Sequence, residues 1–175
     1  MIGKKMQDAI NEQIKEELGS AYIYLSMEAY FHSKGLDGMA HWMRAQTQEE
    51  MMHAMKFLDH IVGRDGKVEL LALDQPKIEW SSPLEAFQDA YKHEQYITGR
   101  IDNLVKLAAE ENDNAAAIML QWFVTEQVEE EASTSKVAQM LEMIGDSGHG
   151  LIMLDRELGA RPTLVTLPTT GGEAE

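Results

Sequence analysis

The sequence predicts an all-α fold: a four-helix bundle with one long crossover and a short fifth helix near the C-terminus. Three observations predict it. Strong helix formers dominate, and the first of only four prolines is Pro76. Four long stretches repeat apolar residues at the three-to-four spacing of a helix with one buried face. Between the second and third of these, about 20 residues (63–82) lack helical periodicity, which is long for a loop inside a compact domain.

The first helix is expected from about Lys5 to Ser33, stopped by Gly35. The second should run from about Gly38 to Ile61 or Val62 and break at Gly63 and Gly66. Ser82 as N-cap, Pro83 at the first helical position and Glu85 three residues after the cap form a capping box that opens the third, which fades near Asn112. Asp113 caps the fourth, which reaches Ile144 before Gly145, and a fifth covers about Ser147 to Leu158. Residues 1–160 then make one bundle with its short helix, and 161–175 a flexible tail.

Tight links near Gly35 and Asn112 pair the helices antiparallel. A helix of about 26 residues is roughly 39 Å long, and a connection of about 20 residues reaches some 66–72 Å. The crossover can therefore return along the whole bundle and set the third helix parallel to the second. Its Val68, Leu70, Leu71 and Leu73 have apolar surface to bury, best against a neighbouring subunit.

Bulk properties narrow the function. A chain of 175 residues fits one domain with a sizeable core. A net charge of −15 argues against nucleic acid, whose phosphates need a basic face, and suits solubility or the concentration of cations. No apolar run is long enough to span a membrane, and no signal-peptide core opens the chain. The absence of cysteine removes disulfides, thiolate metal sites and cysteine nucleophiles. A cytoplasmic location is the expectation.

The chemistry lies in the apolar stripes. Each of the four long helices carries a glutamate where a globular protein normally places Leu: Glu17 with Ile10, Ile14, Ala21 and Leu25; Glu50 with Met39, Met43, Ala54, Phe57 and Ile61; Glu94 with Phe87, Ala90, Ile97 and Ile101; Glu130 with Met119, Phe123, Val137 and Leu141. A buried, unpaired carboxylate costs several kcal/mol or stays protonated. Cations between the helices resolve that conflict. Two divalent ions would balance the four negative charges. Glu50 and His53, at i and i+3, point the same way from one helix. Alone that pair is a common solvated face. Combined with three more stripe acids, it matches a di-iron carboxylate bundle, whose oxygen-rich ligation with one imidazole suits iron or manganese over zinc or copper.

On the fourth helix Glu126, Glu129, Glu130 and Glu131 crowd together and repel. Glu131 is expected to face solvent, while Glu126 and Glu129, with Glu49 opposite, could hold a third cation. Tyr24 lies seven residues from Glu17 on the same face, either near the metals or as a core tyrosine bonded to a carboxylate. Trp122 reads as core packing, and His60 and His93 as surface or interface residues. Met51 and Met52 point away from the acids, which favours subunit packing over haem ligation.

These residues together resemble the bacterial non-haem ferritins. The resemblance covers nearly the whole chain: Glu17 with Tyr24, Glu49-Glu50-Met51-Met52-His53, Tyr91-Lys92-His93-Glu94, Trp122, and Glu126-Gln127-Val128-Glu129-Glu130. It implies a first iron on Glu17, Glu50 and His53, and a second bridged by Glu50 and held by Glu94 and Glu130. Glu49, Glu126 and Glu129 with Glu130 would form a third site, Gln127 would complete the metal-binding set from behind the ligands, and Tyr24 would serve as electron donor. It further implies a homo-oligomeric 24-subunit shell that oxidises Fe(II) with O₂ or peroxide and stores the ferric mineral.

Bacterioferritin, the haem-containing rival, has an acid/His pair on its fourth helix, whereas Gln127 precedes Glu130 here. Rubrerythrin needs cysteines for its iron centre. DNA-protecting mini-ferritins place their ligands between subunits. A metal-free structural bundle would leave four stripe acids unexplained. No His-Glu-x-x-His motif supports a zinc peptidase.

Overall fold

The computed structural model describes residues 1–165, all of whose regular elements are helices. They are α1 (Lys4–Ser33), α2 (Asp37–Val62), α3 (Pro83–Glu110), α4 (Asn114–Ile144) and α5 (Gly148–Leu158). The tail expected from 161 onward lies outside the described residues beyond 165. Residues 161–165 run against α2, with Val165 hydrogen-bonded to Gln48.

The helix ends follow from local chemistry. Gly35 (φ 71°) and Asn112 (φ 53°) take the left-handed conformation that stops α1 and α3, which glycine and asparagine adopt at least cost. Ser82 Oγ accepts from the Glu85 amide at 3.1 Å. Glu85 does not return the bond to Ser82; its Oε2 accepts from the amide and hydroxyl of Ser81 at 2.6 and 2.5 Å. The expected capping box is thus displaced by one residue on its carboxylate side. Asp113 caps α4 through the Ala116 amide (3.0 Å), and Ser147 caps α5 through Gly150 (3.2 Å).

Hydrogen bonds trace the crossover along α1. Asn11 clasps Lys67 and Glu69, donating to one carbonyl (3.1 Å) and accepting from the other amide (2.9 Å). Farther along the same helix Ser26 donates to the Lys77 carbonyl at 2.7 Å. The chain then tucks Trp80 against Tyr30, near the end of α1, with centroids 5.1 Å apart. Because α2 folds back from that same end, α3 starts beside the start of α2 and runs parallel to it. On the outside, Leu25, Met51, Met52 and Met55 stay 40–48% exposed, and crossover Leu70 and Leu73 are 69% and 41% exposed. Leu25, expected on the Glu17 stripe, turns outward because it lies two turns on, where the face has drifted off the core.

The interior divides into two apolar clusters. Met6, Ile10, Ile14, Phe57, Ile61, Ile97, Ile101, Leu120 and Phe123 belong to one. Tyr24, Met27, Phe31, Met39, Met43, Phe87, Ala90, Val137 and Leu141 belong to the other. On every long helix the stripe glutamate sits where the chain passes from one cluster to the other.

Candidate metal centre

A polar layer crosses the middle of the bundle. Glu17, Glu50, His53, Glu94 and Glu130 are all 0–4% exposed, as are Gln13, Gln46 and Gln127. Each helix contributes its acid because the helical repeat keeps that position on the core-facing stripe, between apolar residues that hold the side chain inward. Glu28, a fifth buried glutamate, shows how this fold handles an acid that needs only stability: the Arg44 guanidinium lies on it. Among the described residues no lysine or arginine pairs with the other four.

Their partners are neutral and few. Gln13 Nε2 donates to Glu17 Oε1 at 2.9 Å, and Gln46 Nε2 to Glu130 Oε2 at 2.7 Å. The Tyr24 hydroxyl donates to Glu94 Oε1, and Gln127 Nε2 lies 3.3 Å from both the carbonyl and Oε2 of Glu94. His53 Nδ1 is 3.3 Å from Glu50 Oε2 and 4.0 Å from Glu17 Oε2. Glu17 Oε2, Glu50 Oε2 and His53 Nε2 are buried with no hydrogen-bond partner. Unmet acceptors at such depth are costly and call for an explanation.

The electrostatics point the same way. Burial pushes the Glu17 carboxyl up to about 7, Glu94 to about 6 and Glu130 to about 8. Burial, then the charges of Glu94, Glu17 and Glu130, holds Glu50 well above the usual carboxylate range. His53 is pushed down to about 4 by burial and then by Lys56, so its imidazole is neutral and has a lone pair to offer. A set of acids that resist ionisation together, beside a neutral imidazole, is a ligand set that a cation would complete.

Ligand atoms of Glu17, Glu50 and His53 lie within 4.8 Å of one another, close enough for one ion. A second group of the same kind joins His53 with Glu126 and Glu130. Glu94 belongs to neither group; its oxygens are engaged by Tyr24 and Gln127. Of the acids expected at a third position, Glu126 is half-buried and raised by burial, Glu129 is exposed, and Glu49 is bound at 2.6 Å by Arg161. The structure therefore turns Glu126 and Glu130 toward His53, while a protein cation occupies Glu49.

Residues 7–144 match the family model described as a ferritin-like domain. The chain belongs to the ferritin family. A bacterial non-heme ferritin of Bacteroides fragilis is 42% identical over 92% of this chain and 100% of its own. One from Staphylococcus aureus is 37% identical over 92% of this chain and 97% of its own. Among solved structures, an open-pore ferritin from the hyperthermophilic archaeon Archaeoglobus fulgidus superposes with a TM-score of 0.92 at 49% identity, covering 93% of this chain and all of that one.

Several residues of this ferritin depart from what its sequence suggests. Glu131 does not face open solvent: it is half-buried and accepts from the Thr98 hydroxyl at 2.6 Å, across the α3–α4 contact. His93, expected at the surface or an interface, is half-buried with Nε2 2.7 Å from Ser20 Oγ, and burial pushes it down to about 4. Trp122, by contrast, packs against the core as expected, edge-to-face with His53 and Phe123, and carries Lys56 over its ring at 4.4 Å. Gln13 and Gln46 escaped notice in the sequence. Their signal was present: each lies four residues before a stripe acid, one helical turn away on the same face.

Proposed function

We propose that this chain is an iron-storage ferritin with ferroxidase activity. The observation that carries the reading is the contrast among the buried glutamates: Glu28 is matched by Arg44, while Glu17, Glu50, Glu94 and Glu130 have no cationic partner among the described residues. Two Fe(II) ions as substrate would supply the missing charge. Glu17, Glu50 and His53 would take the first. Glu50 would reach to the second, with Glu94 and Glu130 as its remaining ligands. Each Fe(II) would give up one electron and dioxygen would take the two, leaving as hydrogen peroxide with two protons from water; peroxide is the other oxidant of this class. Carboxylates favour the product because a hard anionic oxygen binds Fe(III) more strongly than Fe(II).

The neutral partners have a role in the same reading. Tyr24 and Gln127 donate to Glu94, and Gln46 to Glu130, so each carboxylate is turned and steadied before a metal arrives. Tyr24, hydrogen-bonded to Glu94, would supply a further electron where the oxidant is reduced beyond the peroxide level, with Glu94 to receive its proton. Glu126, Glu129 and Glu130, with Glu49, would form a third position through which oxidised iron leaves the pair. The exposed apolar surface of α1, α2 and the crossover supports assembly with further copies, for which we propose the 24-subunit shell.

The test is aerobic addition of Fe(II) to the metal-free protein, followed by absorbance of the Fe(III)-oxo product beside a Glu50→Ala/Glu130→Ala control. Oxidation much faster than in the control supports the reading. Equal rates would leave the family and the fold standing and remove the activity.

A further inference from the structure

The chain beyond α5 returns to the edge of the metal layer. The Arg161 carbonyl lies 2.7 Å from His41 Nε2, and its guanidinium stacks over Trp42 with the ring centroid at 4.5 Å. Its Nη2 donates to Glu49 Oε2 at 2.6 Å, both side chains being 21% exposed. Four residues on, Val165 is held on both sides of its peptide by one amide: its N–H donates to Gln48 Oε1 and its carbonyl accepts from Gln48 Nε2, each at 2.9 Å. Four positions of α2 thus hold the 161–165 segment as a strap, and its one charged group rests on Glu49.

Two features of this ion pair stand out. Among the described residues, Glu49 is the only one of Glu49, Glu126, Glu129 and Glu130 that a lysine or arginine meets. The guanidinium is also incompletely used, since Arg161 Nη1 is buried without a partner. A fork that could grip a carboxylate with two bonds gives it one. Trp42 and the backbone anchors, together with the carboxylate, set where the guanidinium lies.

We propose that Arg161 is a built-in rival for the third cation: it holds Glu49 in the metal-free chain, and loading that position requires the 161–165 strap to leave α2. The inference rests on the reading above, that Glu49 and its neighbours take a third ion. A guanidinium and a metal ion repel, and Arg161 already takes Glu49 Oε2 and much of the carboxylate's charge, so the two compete for Glu49. The strap therefore lowers third-position affinity by the fraction of time it is open, and by reciprocity a bound ion opens the strap. The first two positions, built on Glu17, Glu50, His53, Glu94 and Glu130, make no bond with Arg161 and feel its charge only at Glu130, where it is a minor influence. Such a rival makes the third position the weakest of the three, filled after the pair.

Zn(II), which is redox-inert, tests this by calorimetry on the metal-free protein. Two tight equivalents and a weaker third are expected in the natural chain. Arg161→Gln should tighten the third by at least about fivefold, the lower end of ordinary coupling, and leave the first two unchanged. Gln48→Ala, which frees Val165 without touching Arg161 or an acid, should move the third the same way. Hydrogen exchange at the Val165 amide should rise in the natural chain as the third equivalent binds. An unmoved third equivalent in both variants, a missing third equivalent in Arg161→Gln, or a Val165 amide that stays protected at saturation would each overturn the proposal while the first two equivalents stand. Loss of the first two equivalents in the natural chain would instead overturn the metal-layer reading, and this inference with it.

Discussion

The buried layer and the rim beside it use the same carboxyl group in opposite ways. In the layer, Glu17, Glu50, Glu94 and Glu130 are shut away from water, lean on neutral amides and a phenol, and hold their protons unusually strongly. At the rim, Glu129 is exposed, Glu126 half-covered, and Glu49 already neutralised by Arg161. Burial makes an acid expensive to ionise, so a layer acid gains most when a cation arrives. A rim acid in contact with water has less to gain. On the proposed reading, the same chemistry at two depths would separate a place that captures ions from one that passes them on.

The sharpest way to break this contrast is to remove a layer ligand. Glu50→Ala or His53→Ala should slow Fe(II) oxidation by at least about 100-fold, the upper end of what groups merely supporting metal ligands contribute. Circular dichroism should show the helices intact. Rapid oxidation in both variants would mean that the layer is not where the reaction happens.

Next in size is a pH effect on the metal-free protein. Glu17, Glu94 and Glu130 titrate near 7, 6 and 8 in the fold, above the ordinary 4.5, so from about pH 4.5 upward the unfolded chain has lost protons that the native one keeps. Their contribution is full below 4.5 and is lost as pH rises to 8. His53 and His93, held down to about 4, act oppositely between 4 and 6.5, where the unfolded imidazoles gain protons. Above 6.5 only the acids count. Thermal melts of chelated protein should therefore fall by at least about 4 °C between pH 6.5 and 8, each kcal/mol being worth about 2–4 °C in a chain of this size. A flat or rising Tm over that window would remove the picture of a strained layer.

Rim substitutions should do less to the chemistry. Glu126→Gln or Glu129→Gln is expected to leave the initial oxidation rate within about twofold, because solvated charges contribute little, while changing how much iron binds and how it is released. A fall as deep as that of Glu50→Ala would merge the two regions into one. Smallest is a control remote from both: Ser82→Ala should cost about 1 kcal/mol of stability through the lost cap, read by denaturant unfolding, with neither metal readout disturbed.

The stripe acids were legible because helical periodicity alone assigns a residue to the core face, and a glutamate among Ile, Met and Phe breaks the pattern visibly. Ser82, Asp113 and Gly35 marked their helix ends for reasons confined to a few residues. Contacts between distant elements could not be read that way. Thr98 reaches Glu131 from another helix, and Arg161 meets Glu49 across 112 residues of chain. Periodicity says that Glu131 leaves the core stripe, and only packing says what it meets there. The same limit applies to Glu85, whose choice of Ser81 over Ser82 depends on the exact path of the crossover into α3.

The division of the interior into two apolar clusters has a mechanical side. Hydrophobic contact is what makes a domain melt as one body, and here the polar layer interrupts it on all four long helices at one height. In the metal-free chain that layer is a seam, and the Phe31–Phe87 end and the Phe57–Phe123 end are joined across it mainly by helix backbones. Ions gripped from several helices would act as rivets across the seam, so that two regions able to loosen separately fluctuate as a single unit.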